Sequence, residues 1–125
     1  MPIPPRLETE IHELKSAFEL EVAEEPEMIN LVLKRFTLTE GFSVAATDLL
    51  LRIPRIYPEA GPDMFWTDTE VKFADGTVPK NADSVEIYLG RSWRRFSWHR
   101  APWNPTIDRL LLHLEFINER LRRKE

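Results

Sequence analysis

The spacing of apolar residues changes twice along the chain, and this change constrains the fold more than any other feature. Near the N-terminus, apolar residues recur every three or four positions, as on one face of an amphipathic helix. These residues are Leu7, Ile11, Leu14, Phe18 and Val22. From Met28 onward, apolar and polar residues alternate, as in a half-buried β-strand. The pattern predicts a helix over residues 7–24, ended by Pro26, and then antiparallel strands.

Turn residues divide the middle of the chain into short strands. We predict four of them, over residues 28–34, 42–46, 49–53 and 70–73, which form an antiparallel meander. The turn signals are Thr39-Glu40-Gly41 and Asp75-Gly76. A long irregular segment follows over residues 77–102, with residues 85–89 and 93–99 as further strand candidates.

A second helix is predicted over residues 105–122. Asn104 is a suitable N-cap, and Pro105 suits the first helical position. The predicted apolar face, with Trp103 packed beneath it, consists of Ile107, Leu110, Leu111, Leu114, Ile117 and Leu121. The order of helix, strand meander, irregular segment and helix indicates an α+β fold, with residues 1–125 forming one domain.

Composition excludes several classes of function. The 125 residues are 42% apolar and 30% charged, which is typical of a globular domain and not of a disordered chain. No apolar run approaches the length of a membrane span, and the first residues lack a signal-peptide core. The chain has no cysteine, so thiol nucleophiles, thiolate metal sites and redox pairs are excluded. We therefore expect a cytoplasmic protein.

Charge is distributed unevenly. Residues 1–30 carry eight Glu against Arg6 and Lys15, a net charge of −6, whereas residues 91–100 carry four Arg and no acid, a net charge of +4. Separate acidic and basic surfaces are expected to bind protein partners. The residues predicted to do so are Glu10, Glu13, Glu21, Arg91 and Arg94.

Several short motifs resemble those of ubiquitin-conjugating (UBC) enzymes. Tyr57-Pro58, followed by Pro62, is similar to that family's Tyr-Pro…Pro motif, and Trp103-Asn104-Pro105 is similar to its Trp-x-Pro motif before a helix. A more specific pattern resembles the prokaryotic ubiquitin-conjugating-like proteins. It consists of Tyr57-Pro58, Pro62-Asp63-Met64-Phe65, Trp93, Ser97, His99, Trp103, Pro105 and Asp108. This resemblance covers nearly the whole chain and implies a UBC-like fold.

The chain departs from the UBC pattern at the positions that carry its chemistry. The family's catalytic cysteine is missing. Gly76-Thr77-Val78 resembles the residues that precede this cysteine in the family, and Pro79 occupies the position of the cysteine. No His-Pro-Asn motif follows residue 73, and Asn81 is the available substitute for its asparagine. The first helix, typically basic in the family and bound by the activating enzyme, is acidic here. Thioester chemistry is therefore excluded.

Ser97, His99 and Arg95 are the candidate catalytic residues. If residues 93–99 are extended, all three side chains point to one side of the strand. A serine nucleophile needs a nearby base, and developing negative charge needs a donor, which His99 and Arg95 could supply. The other interpretation is that they are ordinary surface or binding residues. The three histidines have no metal-ligand spacing, and neither a metal nor another cofactor is expected.

Three functions remain open. The preferred one, which needs no chemistry that the sequence lacks, is a non-catalytic adaptor in a bacterial ubiquitin-like conjugation pathway. The resemblance implies a ubiquitin-like protein, an adenylating activating enzyme and a JAB-type peptidase as pathway partners, and an antiphage role. The second is an acyltransferase that carries the ubiquitin-like protein as an oxyester on Ser97. The third, nucleic-acid binding by the arginine- and aromatic-rich residues 91–100, is disfavoured by the net charge of −4.

Overall fold

A computed structural model describes residues 2–100 and 102–125 and has two helices on one face of a six-stranded sheet. In chain order the elements are α1 (Pro5–Lys15), β1 (Glu19–Glu24), β2 (Met28–Thr37), β3 (Ala46–Pro54), β4 (Phe65–Thr67), β5 (Ser84–Tyr88), β6 (Arg91–Phe96) and α2 (Leu110–Arg122). All strand pairs are antiparallel, in the order β1-β2-β3-β4-β6-β5. The predicted α+β class is confirmed, with six strands where four were predicted.

The predicted first helix is too long. α1 ends at Lys15, and residues 19–24, predicted to be helical, form β1. Leu14, Phe18 and Val22 have helical spacing, but Leu20 and Val22 also alternate with glutamates in the two-residue period of a strand. All six residues of β1 pair with β2, so the neighbouring strand supplies the backbone hydrogen bonds that a strand conformation needs.

The main core lies between the sheet and the helices. Alternate residues of β2 and β3 point towards α1 and α2, as the strand period requires. They pack with the buried faces of both helices in one cluster, whose sheet members include Leu31, Leu33, Leu49, Leu51, Phe65 and Phe96. A smaller cluster of Val32, Leu50, Trp66 and Trp93 lies on the opposite, outer face of the sheet.

Two predicted strands in the middle of the chain are wrong. β3 begins at Ala46, where Ala46 pairs with Thr37 of β2. Residues 42–45 and 70–73 form no strand, and within the described residues a single isolated bridge joins Phe42 to Phe73. The rings of Phe42 and Phe73, tilted by 33° with centroids 5.4 Å apart, pack against each other at this bridge. The turns at Gly41 and Gly76 are confirmed, and both glycines have positive φ angles, of 98° and 90°.

β5 and β6 form a tight hairpin inside the segment predicted to be irregular. Leu89 and Gly90 connect them, and their φ angles of 55° and 75° are those of a type I′ turn, which matches the twist of the strands. β5 agrees closely with the predicted strand over residues 85–89. β6 ends at Phe96, so Ser97 and His99 lie beyond the strand in which they were predicted.

The second helix begins five residues later than predicted. Asn104 caps a turn instead, because its Oδ1 accepts hydrogen bonds from the backbone N–H and hydroxyl of Thr106. α2 begins at Leu110 and buries Leu110, His113, Leu114, Ile117 and Leu121. The predicted core positions Ile107 and Leu111 are wrong, since their side chains are 67% and 48% exposed. Within the described residues, neither helix is both long and apolar enough to cross a bilayer.

Candidate functional site

The loop that follows β3 forms one wall of the candidate site. The Tyr57-Pro58 peptide bond is cis, and the carbonyl of Pro58 accepts a hydrogen bond of 2.8 Å from the indole Nε1 of Trp103. The Tyr57 and Trp103 rings lie 5.5 Å apart. A Cβ added to Gly61 would come within 2.1 Å of the Trp103 ring, so only glycine permits this approach. The two motif segments, 45 residues apart, therefore pack as one unit.

Glu10, a buried residue of α1, links the packed Tyr57 and Trp103 segments to both helices through hydrogen bonds. Its Oε1 accepts hydrogen bonds from the hydroxyl of Tyr57 at 2.7 Å and from the backbone N–H of Leu110, the first residue of α2, at 2.8 Å. Its Oε2 pairs with Arg6 at 2.9 Å. Burial, and then the hydrogen bond to Glu10, raise the pKa of Tyr57 well above its ordinary value. Glu10 was predicted to bind a partner, but it is 7% exposed and bonded internally.

An Asp–His pair lies at the surface beside the Trp103 wall. The Nδ1 of His99 is 2.7 Å from the Oδ2 of Asp63, and both side chains are more than half exposed. With Nδ1–H donating to the carboxylate, the Nε2 of His99 is left as an acceptor, which is the arrangement of a histidine base oriented by an acid. Both residues line a cleft of about 390 Å³, together with Arg100 and Trp103. We call this the Asp63–His99 cleft.

Ser97 is not paired with His99. The Nε of Arg95 donates a hydrogen bond of 2.8 Å to the Oγ of Ser97, and the backbone N–H of Ser97 donates to the carbonyl of Asn81 at 2.9 Å. Arg95 also pairs with Glu86 at 3.0 Å. No hydrogen bond joins Ser97 to His99 within the described part of the chain. The three predicted catalytic residues thus fall into two groups, one around Arg95 and one around Asp63.

The arginines of residues 91–100 are bonded within the fold. Arg91 forms ion pairs with Asp48 and Asp68, and Arg100 forms one with Asp108 at 2.8 Å. Arg94 was predicted to bind a partner, but it is 7% exposed and its guanidinium donates to backbone carbonyls, at 2.6 Å to Ala82 and 2.8 Å to Thr69. The basic sequence therefore does not form an open basic surface.

The acidic residues near the N-terminus are also mostly paired. Glu21 lies on β1 and not on the first helix, and its carboxylate is 3.2 Å from Lys34 on the neighbouring strand. Glu19 pairs with an arginine of β2, Glu24 with an arginine of the loop after β3, and Glu25 with an arginine of β3. Glu13 is exposed on α1, and within the described residues no ion pair or hydrogen bond engages its carboxylate. Of the three predicted acidic contacts, Glu10 is buried, whereas Glu13 and Glu21, the latter with a side chain that is 64% exposed, both face solvent.

Sequence reasoning missed Asp63 as the partner of His99 and the internal role of Glu10. Asp63 stood in the Pro62-Asp63-Met64-Phe65 motif, which was the available signal, but 36 residues separate it from His99. His113, whose position at the edge of the last helix's apolar face predicts a half-buried side chain, is 0% exposed, and its Nε2 lies 3.0 Å from the carbonyl of Met64. Burial lowers the pKa of His113 to about 4, so this histidine is neutral at physiological pH.

Comparison with known proteins agrees with this arrangement of motifs. The sequence model of one family, described as prokaryotic E2 family E, matches residues 7–124. Neither the curated proteins nor the solved structures give a significant match. The matched segment contains both helices except the first two residues of α1, the whole sheet and the Asp63–His99 cleft. The chain therefore belongs to the prokaryotic E2 family E, and its role is related to ubiquitin-like protein conjugation.

Proposed function

We propose that this protein is a non-catalytic adaptor of a bacterial ubiquitin-like conjugation pathway. It acts in the cytoplasm and holds the ubiquitin-like protein, the adenylating activating enzyme or both, so that another component performs the transfer. A JAB-type peptidase belongs to the same pathway, and the pathway serves defence against phage. The proposal extends the family assignment, which relates the chain to ubiquitin-like conjugation.

The observation that carries the proposal is the absence of an activated nucleophile from residues 2–100 and 102–125. The chain has no cysteine, so no thioester can form on it. The hydroxyl of Ser97 accepts a hydrogen bond from Arg95, and among the described residues no hydrogen bond joins it to a histidine. A serine hydroxyl is a weak nucleophile unless a base removes its proton. The folded domain thus has two helices and the Tyr57-Pro58 and Trp103-Asn104-Pro105 motifs, but no thiol that could carry an acyl group.

The exposed side of α1 is the proposed docking surface. Glu13 lies there, next to a groove of about 230 Å³ that is partly lined by Leu14, Phe18 and Leu111. An exposed carboxylate beside apolar side chains fits a partner that presents a basic residue at the rim of an apolar patch. Leu111, 48% exposed, contributes apolar area to this groove.

Binding to the purified activating enzyme and ubiquitin-like protein tests the proposal. We expect a complex that forms without a covalent adduct and weakens as salt rises, because a surface charge contributes to it. Glu13→Lys should weaken the complex roughly tenfold or more, a loss on the order of 1.4 kcal/mol. Glu70→Lys is the matched control, since Glu70 is also exposed but lies on a distant loop. Equal binding by both variants would remove α1 as the docking surface.

Acyl transfer through Ser97 is the second candidate. The backbone carbonyl of Asn81, the available substitute for the family's asparagine, accepts a hydrogen bond from the backbone N–H of Ser97, and His99 of the Asp63–His99 pair lies two residues further on. In this reaction the Oγ of Ser97, released from Arg95, attacks the activated C-terminal carbonyl of the ubiquitin-like protein. His99 accepts the hydroxyl proton, and the activating enzyme's adenylate or thiol leaves.

The two candidates differ in the covalent product. Acyl transfer predicts an adduct that hydroxylamine cleaves and that Ser97→Ala abolishes. His99→Ala should cause a similar loss, and the double variant should lose no more than either single variant, because the two residues act as one unit. If Ser97→Ala supports conjugation as well as the unmodified protein does, the adaptor remains. Binding of a single-stranded oligonucleotide that weakens steeply with salt would contradict both candidates and favour a nucleic-acid-binding protein.

A further inference from the structure

The two edges of the sheet differ in how they are protected. β1, at one edge, carries Glu19, Glu21 and Glu24, all exposed, and charged residues discourage pairing with another strand. β5, at the other edge, exposes Val85 and Ile87, whose side chains are 51% and 74% accessible. An exposed apolar edge strand is a template for adding a further strand.

The backbone of β5 has groups free to pair. In a hairpin with a two-residue turn, Tyr88 and Arg91 form the hydrogen-bonded pair that flanks the turn, and such pairs recur at every second residue of an antiparallel ladder. Ser84, Glu86 and Tyr88 therefore direct their backbone groups towards β6. Val85 and Ile87 direct theirs outward, and no backbone hydrogen bond to a loop or other element involves them in the described residues.

We propose that two copies of this chain associate through β5, as antiparallel strands related by a two-fold axis at Glu86. In this register Val85 of each copy lies opposite Ile87 of the other, which gives two β-branched apolar pairs on the same face of the extended sheet. Four outward backbone groups on each copy, the N–H and C=O of Val85 and Ile87, then form four hydrogen bonds between the copies. The sheet becomes continuous over twelve strands.

Charge does not oppose this register. The two Glu86 residues face each other across the axis, but the carboxylate of each is 3.0 Å from Arg95 and 2.8 Å from the Nε1 of Trp66 in its own copy. Each negative charge is thus offset by a local cation. A register centred on Ile87 would instead place Leu89, a turn residue with a φ of 55°, in the ladder and leave Ser84 without a partner. The axis at Glu86 pairs all five residues of β5.

The mass of the protein in solution tests the association. Sedimentation equilibrium should show a mass that approaches twice 14.7 kDa as concentration rises. Ile87→Lys places a charge in both apolar pairs and should raise the dissociation constant about tenfold or more. Ile107→Lys is the control, because Ile107 is 67% exposed but lies on a turn outside the sheet, and it should associate as the unmodified protein does. A monomer at all concentrations up to about 1 mM, or an Ile87→Lys variant that still associates, would overturn the proposal.

The register is tested by disulfide formation, for which a chain without cysteine is a clean background. Residues in a hydrogen-bonded antiparallel pair have Cα atoms about 5.5 Å apart, within the range that a disulfide spans. When the Val85→Cys and Ile87→Cys variants are mixed and oxidised, the main product should be a disulfide-linked dimer that contains one copy of each variant. Preferential crosslinking of Ile87→Cys to itself would place the axis at Ile87 and refute the register.

Discussion

Replacement of Glu10 tests whether this carboxylate holds the fold together or binds a partner. Glu10→Ala removes the acceptor of the Tyr57 hydroxyl and of the Leu110 N–H, both of which are buried. A buried donor left without a partner costs about 1–3 kcal/mol. Loss of two such bonds, and of the attraction between the carboxylate and the N-terminus of α2, should lower the free energy of unfolding by about 3–5 kcal/mol.

Two further variants separate the contributions. Glu10→Gln keeps an oxygen that can accept both hydrogen bonds but loses the charge that faces Arg6, whose side chain is 35% exposed. Since an ion pair with a partly exposed partner contributes little, the expected loss is about 1 kcal/mol. Glu13→Ala, three residues along the same helix and exposed, should change stability by less than about 0.5 kcal/mol.

Urea denaturation followed by far-ultraviolet circular dichroism measures these differences. The slope of the transition should stay constant across the four proteins, so that a shift in midpoint reports stability. A loss below about 1 kcal/mol for Glu10→Ala would refute the reasoning, because it would mean that water or another acceptor replaces the carboxylate. In that case Glu10 would again be a candidate for partner binding.

Three other outcomes are expected from the packing around the cleft and α2. Because burial lowers the pKa of His113 to about 4 from 6.5, the unfolded chain binds the proton first, and stability should fall as pH drops below 6.5, by about 2 kcal/mol at pH 5. In urea titrations, the stability of His113→Gln should depend less on pH over this window than that of the unmodified protein. An equal pH dependence would contradict the assignment of this effect to His113. Gly61→Ala should cost about 1–3 kcal/mol, since the new methyl group must displace the Trp103 ring, and an unchanged urea midpoint would show that the ring moves freely. Leu114→Ala should cost about 2–5 kcal/mol, whereas Leu111→Ala, at a half-exposed position, should cost less than about 1 kcal/mol, and the reverse order would mean that α2 packs through another face.

Local patterns in the sequence were sufficient where a single period was present. Residues 28–34 alternate without a competing helical pattern, and they form part of β2. The body of α2 follows its three- and four-residue spacing, although its predicted apolar face was too wide by Ile107 and Leu111. Where residues 19–24 matched both periods, the sequence could not choose, and pairing with β2 decided for a strand. Periodicity reports which residues can share a face, but only a neighbouring strand supplies the hydrogen bonds that select the conformation.

The candidate site shows the same division more sharply. The two-residue spacing of Ser97 and His99 predicted neighbours on one side of a strand, but β6 ends at Phe96 and the two side chains bond in different directions. His99 instead contacts Asp63, which lies in the loop before β4. No local rule relates two residues that far apart in the chain, because the contact exists only after the sheet has brought the loops together.

The sequence by itself determined what this protein cannot do and which family motifs it carries. Without cysteine it can form no thioester, whatever its fold. The tertiary structure alone decided which charged residues are available at the surface. Glu10 and Glu13 lie on the same helix, yet Glu10 is internal because Tyr57 and the N-terminus of α2 bring donors to it, and Glu13 is open to solvent. A carboxylate can be buried only where donors compensate its lost hydration, and those donors come from segments distant in sequence.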